Sequence, residues 1–143
     1  MTSEAPAAAA SLFEQALQRY QDGSPLAEVL VSFELITQQE PRLSAGWTCL
    51  AWLQLLVDQP QQALRSAKTA VRLNGQDPQA RINLSLAMLE TGAKGVRDHI
   101  EIVQRVIAMA PEMAADINAA IADGLQRKPG WKAMQKVKAW LAA

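Results

Sequence analysis

Apolar residues recur along this chain at three- and four-residue intervals, the period of an amphipathic helix, and no stretch alternates as a strand would. Leu12, Phe13, Ala16, Leu17 and Tyr20 define a first helix over Ser11–Gln21, with Ser11 as its N-cap. The residues before it, 1–10, predict a flexible tail with nothing to bury. Asp22-Gly23 ends that helix, and Ser24-Pro25, a capping serine before a first-turn proline, starts a second that runs to Gln39. Val29, Phe33 and Ile36 are its stripe, and Pro41 breaks it. In the third helix Trp47, Leu50, Ala51 and Gln54 share one face, and in the fourth Ala63, Ala67, Ala70 and Val71 do. Pro60 opens the fourth, and Asn74-Gly75 closes it in the manner of a glycine helix end. Asp77-Pro78 begins a fifth, and a sixth spans Val96 to Ala110 with Ile100, Val103, Val106 and Ile107 inward. Met113, Ile117, Ala120, Ile121 and Leu125 form a seventh stripe that Gly124 interrupts. After Lys128-Pro129-Gly130, a short final helix covers Trp131 to Leu141.

The stretch Ser44–Asp77 is thirty-four residues long and holds two of these helices. Adding thirty-four to Leu50, Ala51 and Gln54 gives Leu84, Ser85 and Met88, which stay small or apolar; Trp47 maps to Arg81. The Trp-x-x-Leu-small spacing, the later Ala-x-x-x-Ala and the length of the unit resemble a tetratricopeptide repeat. The resemblance covers about residues 10–126, with units of roughly 10–43, 44–77 and 78–113 and a capping helix over 112–126. It implies an all-α, right-handed solenoid of about three helix pairs, closed by C-terminal capping helices because a terminal repeat leaves an apolar face wet. A basic amphipathic helix over 130–142 follows. Trp47 and Leu84 belong to the packing between repeats, where truncation to alanine costs roughly 2–5 kcal/mol.

In such arrays the first helix of each pair lines a concave groove that takes a segment of a partner protein. The resemblance places Thr48, Trp52, Leu55, Gln79, Ile82, Leu86 and Leu89 on that face, which is mostly apolar. Relatives that clamp a chaperone's terminal carboxylate carry Lys, Arg and Asn there; here only Asn83 fits, so that specificity is excluded. The implied function is a non-catalytic adaptor, chaperone or assembly factor for another protein. The rival is a self-associating structural protein whose groove is filled by another copy or by its own C-terminal helix.

Half of the residues are apolar and 5% aromatic, and the formal net charge is zero, so no bulk attraction to nucleic acid or membrane follows. The charge is nonetheless unevenly placed. Residues 1–64 carry seven acids against two bases, and residues 65–143 carry twelve bases against seven acids. The final helix concentrates this: Trp131, Lys132, Lys136 and Trp140 form a secondary contact surface toward the array, a partner or, less favoured, an anionic membrane.

Catalytic chemistry finds little support. Cys49 stands alone among apolar residues and reads as a packed thiol. His99 is the only histidine; Asp98 adjoins it but points to another helix face, so His99 reads as a helix-interface residue. There is no phosphate-binding glycine loop and no nucleophile elbow, and no metal or cofactor is implied. The N-terminus lacks a basic region followed by an apolar core, and no apolar run is long enough to span a bilayer, which makes a cytoplasmic protein the expectation.

Overall fold

The computed structural model describes residues 4–143, with side chains from residue 12 onward. Its described residues form α1 (Glu4–Gln21), α2 (Leu26–Gln39), α3 (Ser44–Leu56), α4 (Pro60–Leu73), α5 (Pro78–Thr91), α6 (Val96–Met109), α7 (Pro111–Arg127) and α8 (Lys132–Ala142). Connections of one to four residues reverse the chain between successive helices. Each helix from α1 to α6 packs on the next, α3 also packs on α5, and α8 returns to lie on α5, α6 and α7.

Local chemistry explains most boundaries. Pro60, Pro78 and Pro111 each open a helix, where the missing N–H would have lacked a partner anyway. The Asp77 carboxylate accepts from the Gln79 backbone N–H at 3.0 Å and so caps α5. Gly92, left-handed at φ 75°, ends it. Several boundaries differ from expectation, those of α6 and α7 by one residue. The first helix begins at Glu4, not Ser11, because the alanine run is a strong helix former and Pro6 sits in the tolerant first turn. Of the expected tail, residues 1–3 lie outside the described residues. At α2 the N-cap position is held by Pro25, not Ser24, with no side-chain cap. The fourth helix ends on an extended Asn74 rather than a left-handed glycine, and the Gly75 carbonyl instead accepts from Arg81 Nε at 2.9 Å. The last helix starts one residue late, with Trp131 at its N-cap.

Two apolar clusters make the core. The smaller, N-terminal one gathers Ala16, Val29, Phe33, Ile36, Leu50 and Leu53. Trp47 packs against it half-buried, and its Nε1 donates to the Pro41 carbonyl at 2.8 Å, tying α3 to the preceding turn. The larger cluster runs from Ala51 and Leu55 through α5 and α6 to Met134 and Val137. The alanine face of α4 (Ala63, Ala67, Ala70) is fully buried, so small side chains allow close helix approach. Buried polar groups pair across the same seams. Ser66 Oγ donates to Gln54 Oε1 at 2.7 Å, and Asn83 Nδ2 donates to the Thr48 carbonyl at 2.9 Å. In this way α3 and α5 become central helices, buried on several faces at once.

Candidate functional site: the concave cavity

The first helices α1, α3 and α5 line the inner surface, and α7 and α8 fold back over part of it. Where cover is complete, the expected groove residues have become core. Leu55 and Leu86 have no exposed surface and Ile82 keeps 1%. They belong to one cluster with Ile117, Ile121, Trp131, Met134 and Val137. The placement of Leu55, Ile82 and Leu86 on an open partner face is thereby corrected: all three are interior, in a cluster to which the C-terminal helices contribute. Leu89 is half-buried against the same cluster. Trp131 is also interior, with its ring 5.8 Å from that of Trp52 and its Nε1 donating to Glu90 Oε2 at 2.7 Å. It is a packing residue, not a surface contact.

What remains open is a cavity of about 210 Å³ between α1, α2, α3, α5 and α7. Leu17, Trp52, Leu53 and Ala120 supply much of its apolar wall. Thr48 and Gln79, both expected on the partner-binding face, line it as well. A chain of polar groups runs along one side: Gln79 Nε2 donates to Asn83 Oδ1 at 2.8 Å, and Asn83 passes on to the Thr48 carbonyl. Asn83 is fully buried and both of these partners hold it in place.

The far edge is a clasp built on Tyr20. Trp52 Nε1 donates to the Tyr20 hydroxyl at 2.8 Å, and that hydroxyl donates to Asp123 Oδ2 at 2.5 Å. Arg127 lies over the Tyr20 ring at 3.9 Å, pairs with Asp123 at 3.0 Å and donates to the Tyr20 carbonyl at 3.1 Å. Burial first, and then Asp123, raise the Tyr20 hydroxyl out of its ordinary range, so it keeps its proton and the donor role. One helix turn supplies Asp123, Gly124 and Arg127. Gly124 is required here: a Cβ at that position would lie 2.8 Å from Trp52 Cη2 and 3.2 Å from Trp131 Cζ3. The interruption of the α7 stripe is therefore the point where two indoles meet the backbone.

The cavity wall includes one thiol, held protonated by burial. Desolvation, with the Asp77 carboxylate adding to it, pushes this Cys49 thiol up to about 12. It stays neutral and a poor nucleophile. His99 is remote from the cavity wall and accepts from Arg81 Nη1 through Nδ1 at 2.8 Å. Arginine only donates, so this nitrogen is unprotonated. Burial and then the Arg81 charge lower the His99 pKa. The reading of His99 as a helix-interface residue matches its place between α5 and α6. Among the described residues no helix is long and apolar enough to cross a membrane.

Several cavity residues escaped the sequence reading: Leu17, Tyr20, Phe33, Ala120 and Asp123. The Asp123/Arg127 pair at i, i+4 was visible, but nothing local pointed it at Tyr20, more than a hundred residues away in sequence.

No protein-family model matches the chain, and no curated protein matches it. Among solved structures it is similar to SycD, the type III secretion translocator chaperone of Yersinia enterocolitica, in a structure described as an alternative dimer. The two share 17% identity over 82% of this chain and 89% of that one, with a TM-score of 0.67. The fold is a TPR-like helical repeat. At this identity the likeness concerns architecture, and the cavity's role is argued from its own residues.

Proposed function

We propose that this protein is a non-catalytic scaffold that holds an apolar segment of another protein in the concave cavity. Its helix pairs are read as tetratricopeptide repeats, and its place of work as the cytoplasm. The single observation that carries the proposal is the cavity itself: an apolar recess on the inner face, with polar groups already paired along its side. Such a recess has room for one or two bulky side chains of an extended or helical segment. Trp52, Thr48 and Gln79 are the contacts retained from the expected set, joined by Leu17 and Ala120. The similar fold of a translocator chaperone supports a chaperone or assembly role. An enzymatic reading has no activated nucleophile or free base in the recess to rest on.

The test is a photo-crosslinkable residue at Gln79, used in native lysate with and without Ala120→Leu. The added bulk should fill the recess and abolish the crosslinked species while the circular dichroism spectrum stays unchanged. An identical set of crosslinked proteins with Ala120→Leu sinks the proposal.

A further inference from the structure

A second surface lies away from the cavity. The inner face of α8 is spent on packing: Met134 and Val137 are fully buried and Trp131 nearly so. Its outer face presents Lys132, Lys136 and Lys138, all exposed. Arg97 of α6 stands 4.6 Å from the Trp140 ring centroid, and Lys136 Nζ stands 5.5 Å from the same ring. Two cations thus share one half-buried indole. Among the described residues the ion pairs are Arg127–Asp123 and Lys128–Asp58, so none of these cations has a carboxylate within bonding range. Nearby Glu90 is engaged by Trp131.

A helix with other neighbours, α2, offers the complement. On α2, Val31 is 61% and Leu35 43% exposed, one turn apart on the same face. Glu28 and Glu34 flank them, exposed and without an ion pair among the described residues. Arg19 of α1, which donates to Ser32, is the base that reaches this helix. The two faces lie on helices with separate neighbours: α2 packs on α1 and α3, and α8 on α5, α6 and α7. The charge imbalance in the sequence follows the same division, acids exceeding bases by five in residues 1–64 and the reverse in 65–143.

We propose that the acidic-apolar face of α2 in one copy docks on the basic-aromatic face of α8 in the next, joining copies head to tail. The chain carries both halves of the contact in equal number, which neither a membrane nor an outside partner does. A lipid surface is disfavoured because the apolar side of α8 faces the core, leaving little to insert. Nucleic acid is disfavoured because the one aromatic ring on the face is already flanked by cations. Arg and Trp, here exposed Arg97 and half-buried Trp140, are also residue types that interfaces enrich. Since the two patches differ, the contact is heterologous and can repeat along a row of copies. It leaves the concave cavity free, so Ala120→Leu should leave it intact.

Sedimentation velocity of the full chain tests this. At low ionic strength the mean mass should rise with concentration, and high salt should return it to monomer. Val31→Ser/Leu35→Ser and Lys132→Gln/Lys136→Gln should each be monomeric. Mixed, they should form a complex of two chains and no larger, because each retains one competent face. All four side chains are exposed, so both variants should fold, and circular dichroism of each checks this. A wild type that stays monomeric at every concentration in low salt overturns the proposal. So does a Lys132→Gln/Lys136→Gln variant that associates like wild type, which would mean α2 pairing with itself. Binding of the monomer to anionic vesicles, lost in that lysine variant, would assign α8 to lipid and overturn it too.

Discussion

The two halves of the concave surface are built on equivalent positions and have opposite fates. Trp52 in α3 and Leu86 in α5 are thirty-four residues apart and occupy the same place in their helix pairs. Trp52 is partly exposed and borders a cavity, whereas Leu86 is fully buried in the larger cluster, which the C-terminal helices help to build. The repeat pattern makes the positions alike; the C-terminal helices touch Trp52 through Gly124 and Trp131 yet leave it a side on the cavity, whereas Leu86 keeps no exposed surface. The lesson is that a repeat's binding face cannot be assigned from register alone when the same chain carries helices able to cover it. Here α7 and α8 leave the α1–α3 side open and hold its edge through Tyr20, Asp123 and Arg127.

The largest expected effect lies in the covered half. Leu86→Ala should cost about 2–5 kcal/mol through the cavity it leaves, read from the urea midpoint at constant slope. Leu17→Ala, on the open half and already beside empty space, should cost nearer 1 kcal/mol. Equal costs would erase the contrast between the halves. Next comes the clasp. Tyr20→Phe should lose about 1–3 kcal/mol, because Trp52 Nε1 is left without its acceptor and Asp123 keeps Arg127 on Oδ1 but loses the donor to Oδ2. A double-mutant cycle with Asp123→Asn should show coupling, and strict additivity would mean that the clasp does not act as a unit.

Ala120→Leu should change stability by less than about 1.5 kcal/mol, since the side chain enters existing space, yet it should abolish partner capture. A large loss of stability would show the recess to be too narrow to receive anything. The smallest effect is the pH response of His99, whose pKa in the fold lies below the ordinary 6.5. As pH falls through 6.5 the unfolded chain takes up a proton that the folded chain refuses, so stability falls, levelling off below the folded pKa. His99→Gln should flatten this component in thermal melts taken across that window, and an unchanged profile would remove His99 as its source.

How much could be read in advance depends on the range of the interaction. Pro60 and Pro78 start their helices through constraints within one turn, and the expected starts were met; Pro111 acts in the same way but opens α7 one residue before the expected 112. The start of α1 was missed because a capping serine is weaker than the helix preference of the alanines before it. For Leu55, Ile82 and Leu86 the sequence held an overlooked sign. Both α3 and α5 are apolar around much of their circumference, the mark of a helix covered on more than one side. Asp123 and Gly124 had no such sign pointing to Tyr20 or Trp52.

By itself the sequence determined the helices, their order, the thirty-four-residue repeat and hence the TPR-like fold. These rest on periodicity and on turn residues whose effects are short in range. Only the tertiary structure decided which part of the concave face stays open. That choice depends on where α7 and α8 land, through contacts such as Tyr20 with Asp123 and Trp52 with Gly124. Such contacts join residues distant along the chain, and their partners are set by packing in three dimensions rather than by spacing in one.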